Sequence, residues 1–210
     1  MNDYGSLVVV SGFSGVGKGT VLHRLMEKYD GYAYSVSATT RAPREGEVNG
    51  VHYFFKTQEE FDAMIEADEL LEYARYVGHS YGTPAAFVEE QRRQGRDVIL
   101  EIEVQGALNV RRRAKDAVLI FVMPPDADTL AQRLRGRGTE SEDVIRGRLE
   151  QAAREAESVS AYDYIVVNDD VEACADRLHA LIRSQRLRTG SCLPFIGRVK
   201  DELQEMHFEE

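Results

Sequence analysis

Short apolar runs alternate along the chain with segments whose apolar residues recur at helical spacing. Four runs have the length of strands that are buried on both faces, as in a parallel sheet. They occupy residues 7–10, 98–102, 118–123 and 164–167. The segments with helical spacing cover residues 21–26, 108–113, 128–134 and 171–186. This alternation predicts an α/β fold, in which a parallel sheet with right-handed crossovers is flanked by helices.

The rhythm changes within residues 34–84. Three short segments there are rich in aromatic and β-branched residues, which favours strands. They are residues 34–36, 53–55 and 71–76. The spacing of Phe61, Met64 and Ile65 predicts one short helix between them. We therefore expect a small inserted subdomain of mixed strands.

The remaining chain divides into a core domain, a lid and a tail. The core domain is predicted to comprise residues 1–33 and 85–189. Within it, residues 135–148 are rich in arginine, glycine and acidic residues and have few apolar anchors, a pattern typical of a mobile lid. The alternative is a solvated loop that leads into a long helix. Residues 190–210 are predicted to be a partly helical tail, with no indication of its role.

Composition narrows the class of protein and its location. The 210 residues carry 26 basic and 36 acidic side chains, so the net charge is 26 − 36 = −10. Such a charge argues against general binding of nucleic acid or of a membrane surface. No apolar run is long enough to span a bilayer, and no N-terminal secretory pattern is visible. Cys174 and Cys192 match no metal-ligand spacing, so we expect a cytoplasmic protein.

A glycine-rich motif follows the first predicted strand and opens the first helix. Residues 12–18 satisfy the pattern G-x-x-x-x-G-K. Its glycines let successive backbone N–H groups point at phosphate oxygens, and the helix N-terminus favours the same anion. Lys18 can reach the β- and γ-phosphates. The predicted ATP-binding loop, called the P-loop below, consists of Gly12, Phe13, Ser14, Gly15, Val16, Gly17, Lys18, Gly19 and Thr20.

The end of the motif departs from the usual pattern, which places Ser or Thr directly after the lysine. Gly19 stands there, and the hydroxyl comes one residue later at Thr20. We expect Thr20 to bond a phosphate. The Mg²⁺ that accompanies ATP would then be held mainly by nucleotide and water, and no direct protein ligand is assigned.

Two further clusters suggest what accepts the phosphoryl group. Residues 37–44 carry Arg41 and Arg44 on a stretch stiffened by proline, and guanidinium groups bind phosphate bidentately. The alternative is that these arginines pair with Glu45 and Glu47 at the surface.

The other of these two clusters is the pair Glu72 and Thr83. A buried carboxylate at Glu72 could accept two N–H bonds from guanine, which adenine cannot offer, and Thr83 could add a bond to the purine. The alternatives are a solvated acid at Glu72 and a helix N-cap at Thr83, before Pro84.

Together these motifs resemble those of the guanylate kinase family over roughly residues 5–187. The resemblance is most specific in the block beginning at Ser37. The segments that carry it are residues 12–20, 36–50, 81–83, 101–106, 135–140 and 162–168, with the aromatic residues around Tyr53.

The resemblance implies that the chain transfers the γ-phosphoryl group of ATP to GMP or dGMP. It implies catalytic roles, when the lid closes, for Lys18, Arg41, Arg133, Arg137 and Arg148. It places Asn168 near the adenine of ATP. The GMP-binding residues implied by it are Ser37, Arg41, Arg44, Tyr53, Glu72, Tyr81, Thr83 and Glu103. Glu103, where the family often has Asp, would support the guanine or the metal.

Two other functions are consistent with parts of this pattern. One is a non-catalytic module that binds partner peptides with a former nucleotide surface, although such modules typically lack a working P-loop. The other is a related kinase that phosphorylates a phosphorylated sugar, which should lack the pair Glu72 and Thr83. The sequence does not determine the oligomeric state.

Overall fold

The structure is a computed structural model that describes residues 4–76, 78–136 and 141–206. The strands are β1 (Leu7–Gly12), β2 (Tyr32–Tyr34), β3 (Ala38–Thr39), β4 (Phe54–Phe55), β5 (Leu70–Tyr76), β6 (His79–Pro84), β7 (Asp97–Glu101), β8 (Val118–Met123) and β9 (Tyr164–Val167). The α-helices are α1 (Lys18–Lys28), α2 (Gln58–Glu66), α3 (Ala85–Arg93), α4 (Val104–Arg113), α5 (Ala127–Arg135), α6 (Glu142–Ala156), α7 (Val171–Gln185) and α8 (Leu193–Glu205). Short 3-10 helices occupy Val159–Ala161 and Thr189–Cys192.

The core sheet has five parallel strands in the order β2-β7-β1-β8-β9. β1 lies at its centre and is buried along its whole length. Val8 and Val10 face a layer that includes α1 and α7, whereas Leu7 and Val9 face α3 and α4. The apolar run of β1 is continuous because helices cover both faces of the sheet. The predicted parallel α/β fold is confirmed.

A smaller mixed sheet has the strand order β4-β3-β6-β5. β3 and β4 are parallel, whereas β6 runs antiparallel to β3 and β5. Its own core consists of Ala38, Phe61 and Leu70. Phe61 comes from α2, which begins with a capping box between Thr57 and Glu60. Two of the three predicted strands, residues 53–55 and 71–76, are therefore present as β4 and β5, together with the short helix α2.

One predicted strand of this insertion is wrong. Residues 34–36 were expected to belong to the insertion, but the strand is Tyr32–Tyr34 and it pairs with β7 of the core sheet. The Ser35 N–H continues this pairing by donating to the carbonyl of Ile99 (2.9 Å). Aromatic residues favour strands in general, so composition could not choose between the two sheets.

Part of the predicted lid is helical. α5 ends at Arg135 and α6 begins at Glu142, so residues 142–148 form the first half of a helix. Residues 137–140 lie outside the described residues, and the mobility of the lid stays a prediction. The tail is partly helical, as predicted, with α8 following Thr189–Cys192. In the described part of the chain, no helix is both long and apolar enough to cross a membrane.

Phe61 offers a test of how far the small sheet depends on its own core. We expect Phe61→Ala to lower the free energy of unfolding by about 3–5 kcal/mol, because the fully buried ring leaves a cavity. Urea denaturation followed by circular dichroism measures the change. Val51→Ala, at a residue that is 64% exposed, is the control and should change stability by less than about 0.5 kcal/mol. Equal small effects of both substitutions would contradict the assigned core.

Candidate active site

The P-loop connects the carboxyl end of the central strand β1 to α1. Gly15 and Gly17 have φ angles of 87° and 94°, which glycine adopts without strain. The Lys18 Nζ donates a hydrogen bond to the carbonyl of Gly12 (2.7 Å), so the lysine folds back across the loop. The loop therefore has the curled backbone that phosphate binding requires, with a cation over it.

Side chains of the loop divide between the core and the surface. Phe13 and Val16 are buried, and the Phe13 ring meets Phe121 edge to face at 5.0 Å. Gly19 and Thr20 are exposed at the start of α1. Burial of the two apolar side chains anchors the loop to the core and leaves its backbone to contact a ligand.

Residues from three later elements hold the loop. Arg133 of α5 donates to the carbonyls of Val16 (3.1 Å) and Asn168 (2.8 Å). The Asn168 Nδ2 also donates to the carbonyl of Val16 (2.8 Å). Arg148 of α6 donates to the Ser14 Oγ (2.8 Å). The expected site residues Arg133, Arg148 and Asn168 thus converge on the P-loop.

Arg137, the remaining arginine expected at the transferring phosphoryl group, lies outside the described residues.

Glu101 is a site residue that was not predicted individually. It ends β7, and its carboxylate oxygens lie 3.9 Å and 4.0 Å from the position that a Cβ on Gly19 would take. The Tyr34 hydroxyl donates to the Glu101 Oε2 (2.5 Å), and burial together with Glu101 raises the pKa of Tyr34. An acid at the carboxyl end of the strand beside β1 was the available signal, because that edge of a parallel sheet carries the ligand site.

The residues expected to recognise guanine are paired and buried. The Thr83 hydroxyl donates to the Glu72 Oε1 (2.7 Å), and Glu72 is only 7% exposed. Burial raises the pKa of Glu72, and the Thr83 hydrogen bond partly opposes this shift. Both alternatives are wrong: Glu72 is not a solvated acid, and Pro84, not Thr83, is the N-cap of α3.

Arg41 is held in place by Glu47. Its Nη1 and Nη2 donate to the two carboxylate oxygens of Glu47 (2.9 Å and 2.8 Å), while the Arg44 N–H donates to the same carboxylate (2.7 Å). These bonds lower the pKa of Glu47 to about 2. The alternative pairing with Glu47 is therefore present for Arg41, whereas the exposed Arg44 contributes only its backbone.

Aromatic rings border this guanidinium group. The Arg41 Cζ lies 5.2 Å from the centre of the Tyr53 ring, which meets the Tyr81 ring at 6.1 Å. Ser37 is half-buried just before β3, and its carbonyl accepts from the Phe54 N–H (2.9 Å). The Arg41 cation thus lies beside the phenol rings, and Ser37 pairs with the residue after Tyr53. These residues are called the second anion cluster below, after the phosphate that they are predicted to bind.

The pair Glu72 and Thr83 is connected to the P-loop through the carboxyl end of the core sheet. The Glu72 Oε2 lies 3.2 Å from the position of a Cβ on Gly106 in α4, a helix that Glu103 caps directly after β7. Glu103 itself is exposed. Glu72 thus lies near the carboxyl end of the core sheet, which also carries Glu101 and the P-loop.

Comparisons with known proteins agree with this geometry. The family model described as guanylate kinase matches residues 4–185. The chain is 52% identical over 186 residues to a guanylate kinase of Desulfitobacterium hafniense (strain Y51), covering 89% of this chain and 93% of that protein. It is 54% identical over 184 residues to one of Halalkalibacterium halodurans, covering 88% and 90%.

A solved structure gives the same result for the fold. The guanylate kinase of Anaplasma phagocytophilum superposes with a TM-score of 0.68 at 34% sequence identity, covering 89% of this chain and 88% of that one. Sequence, fold and site geometry therefore converge: this chain belongs to the guanylate kinase family and is a kinase.

Proposed function

We propose that the P-loop binds ATP and that the second anion cluster, together with Glu72 and Thr83, binds GMP. The site brings the two nucleotides together for transfer of the γ-phosphoryl group, which gives ADP and GDP. The observation that carries the choice of GMP is the buried Glu72 carboxylate held by Thr83. Guanine offers an adjacent pair of N–H donors to such an acceptor, and adenine does not. A kinase of phosphorylated sugars has no use for this pair.

The P-loop binds the phosphates of ATP in this proposal. The N–H groups at the start of α1 and the positive end of its dipole face the phosphates. Lys18 gives up its bond to the Gly12 carbonyl and moves to the phosphate oxygens, a short displacement because the lysine already lies over the loop. Thr20 supplies a hydroxyl from the first turn of α1.

The second anion cluster binds the phosphate of GMP. Arg41 is fixed in orientation by Glu47 and bordered by Tyr53 and Tyr81, so its cation is ready before GMP arrives. Ser37 and Arg44 add a hydroxyl and a second cation from the same stretch. Tyrosine hydroxyls donate to phosphate without adding charge.

Charge neutralisation carries the chemistry. The attacking GMP phosphate oxygen is already an anion, so transfer requires alignment and stabilisation of the charge that spreads over the transferring group. Lys18, Arg41 and Arg148 approach from the P-loop, the second anion cluster and α6, and Arg137 completes this set in our proposal. Closure of residues 135–148 over the site excludes water, which would otherwise accept the phosphoryl group.

Mg²⁺ is expected to accompany ATP. Within the residues that the structure describes, no group of three or more His, Cys, Asp or Glu side chains could hold a metal. Glu101 beside Gly19, with Glu103 nearby in sequence, supplies hard oxygen donors that suit Mg²⁺ through its water shell. When bound with ATP, the ion neutralises negative charge on the phosphates.

The remaining proposals concern organisation and location. We assign GMP binding to the small sheet within residues 34–84. We assign ATP binding to the core domain, residues 1–33 and 85–189. Both cysteines have free thiols, in keeping with the proposed cytoplasmic location.

Substrate choice can be tested with a coupled assay of ADP release. With ATP as donor, we expect release with GMP and only background release with AMP, CMP or UMP, because these lack the donor pair that Glu72 accepts. Equal release with GMP and AMP would contradict recognition by Glu72.

Removal of the P-loop cation tests the proposed ATP site. Lys18→Ala should lower kcat by about 100- to 1,000-fold, because a positioned charge that faces the transferring phosphoryl group is lost. Among the described residues the Lys18 side chain bonds only its own loop, so the melting temperature should stay close to that of the wild type. Full activity in a folded variant would exclude Lys18 from the reaction.

The raised pKa of Glu72 predicts how GMP binding depends on pH. Glu72 must be ionised to accept the guanine N–H groups, so the affinity for GMP should fall as pH is lowered through this raised pKa. Glu72→Gln cannot ionise and should bind GMP about 10- to 100-fold more weakly at neutral pH, with ATP affinity unchanged. Titration calorimetry of both proteins from neutral to acid pH measures the difference.

Titration of the GMP phosphate affects both proteins equally, so its contribution cancels when their pH profiles are compared. Ionised Glu72 costs folding free energy above its raised pKa, so Glu72→Gln should not lower the melting temperature at neutral pH. Parallel pH profiles for the two proteins would remove Glu72 from guanine recognition.

A further inference from the structure

We propose that Arg133 and Asn168 are positioning residues that fix the peptide between Val16 and Gly17, so that the Gly17 N–H faces the phosphates of ATP. This role differs from the contacts with the phosphoryl group and adenine that the family resemblance implies for them. It rests on the proposed role of the P-loop as the ATP site.

Two donors share one carbonyl. The Val16 oxygen accepts from the Asn168 Nδ2 (2.8 Å) and from the Arg133 Nη1 (3.1 Å). The second guanidinium nitrogen, Arg133 Nη2, donates to the backbone carbonyl of Asn168 (2.8 Å). The three residues therefore form a closed set of hydrogen bonds, called the Val16 clamp below.

The clamp is rigidly placed by the core. Asn168 directly follows β9, and its N–H donates to the carbonyl of Met123 (2.8 Å), which extends the pairing of β9 with β8. Asn168 is only 3% exposed, and Arg133 lies on α5 beside the buried Leu130 and Leu134. Neither donor can follow the loop if the loop moves, so the clamp sets the orientation of the peptide.

The orientation matters because a trans peptide points its carbonyl and its N–H in opposite directions. The structure has no cis peptide bond among its described residues, so a Val16 carbonyl that faces Arg133 and Asn168 turns the Gly17 N–H away from them. That N–H has no hydrogen-bond partner within residues 4–76, 78–136 and 141–206. It is therefore available to a phosphate oxygen.

Gly17 is the position where such a clamp is needed. Its φ of 94° lies in the region that glycine enters freely, so the local backbone alone does not choose one orientation of this peptide. A Cβ on Gly17 would lie 2.8 Å from the Asn168 Nδ2, so the clamp also requires glycine here. Gly17 allows more than one orientation of the peptide, and the hydrogen bonds from Arg133 and Asn168 to the Val16 carbonyl select one of them.

The same contacts limit what Arg133 can do directly. Two nitrogens of its guanidinium bond backbone carbonyls, so reaching the transferring phosphoryl group would break both bonds and release the clamp. Arg148 donates to the Ser14 hydroxyl (2.8 Å). The two carbonyl bonds of Arg133 therefore favour a positioning role over direct contact with the phosphoryl group.

The experiment uses the full chain with Arg133→Met and Asn168→Ala. Calorimetry measures the Kd of ADP, and inhibition of the ATP reaction measures the Ki of inorganic tripolyphosphate, which has no base. We expect both constants and the KM for ATP to rise together by about 3- to 30-fold in each variant, since one to two hydrogen bonds that orient the cradle are lost. The Kd of GMP should be unchanged and kcat should fall less than KM rises.

Each competing role gives a different result. If Arg133 acts on the transferring phosphoryl group, Arg133→Met lowers kcat and leaves the affinity for ADP unchanged. If Asn168 contacts adenine, Asn168→Ala weakens ADP and leaves tripolyphosphate unchanged. Either result overturns the proposal for that residue.

Controls separate this proposal from loss of folding and from failure of the P-loop assignment. Arg177→Met removes an arginine that donates to the backbone carbonyl of Ala173 (3.1 Å) and to Asp169, next to Asn168, and should change none of the constants. If Arg133→Met does not fold, Arg133→Lys replaces it: lysine keeps the charge but loses the two-point contact, so the constants should still rise.

Lys18→Ala shows whether a negative result concerns only the positioning role or also the P-loop assignment. If Lys18→Ala weakens tripolyphosphate but the clamp variants do not, the positioning role is wrong and the P-loop assignment stands. If Lys18→Ala also leaves tripolyphosphate binding unchanged, the P-loop is not the ATP site, and the positioning role falls with it.

Discussion

Burial of β1 on both faces is the constraint on which the rest of this molecule depends. A strand at the centre of a parallel sheet has neighbours on both edges and helices on both faces, so the chain can leave it only at its ends. At the carboxyl end it must turn at once into α1. Glycines make that turn possible, and the turn places backbone N–H groups and a helix N-terminus at one point.

The proposed anion sites are local exceptions in an acidic protein. With a net charge of −10, the chain gathers cations where its own backbone and carboxylates can orient them. Glu47 orients Arg41 through two hydrogen bonds, and backbone carbonyls orient Arg133. For Arg41, this contact lowers the freedom of a long side chain before a ligand binds, which reduces the entropy that binding must overcome. For Arg133, the bonds hold the backbone of the P-loop instead.

The proposed recognition of guanine depends on a different physical effect. Glu72 lies on a strand of the small sheet against α4, where burial opposes ionisation and the Thr83 hydroxyl supports it. A carboxylate kept away from water forms stronger hydrogen bonds to a ligand than an exposed one, at some cost in folding stability. The proposed specificity for guanine therefore rests on the buried Glu72, whereas Arg44 and Glu103 are exposed to solvent.

The sequence by itself determined the parallel fold, the P-loop and the identity of most candidate residues, because these follow from local rules. Apolar run length marks buried strands, and glycine spacing before Lys18 marks a phosphate-binding turn. Tyr32–Tyr34 was misplaced because pairing partners are chosen by contacts distant in sequence. Only the tertiary structure decided that Glu72 is buried, that Glu101 lies beside Gly19 and that Arg133 and Asn168 meet at the Val16 carbonyl. Glu72 is buried because β5 packs against α4, and Glu101 lies beside Gly19 because β7 pairs with β1. The Val16 contacts need β9, α5 and the P-loop together, and no local pattern encodes the distances between such elements.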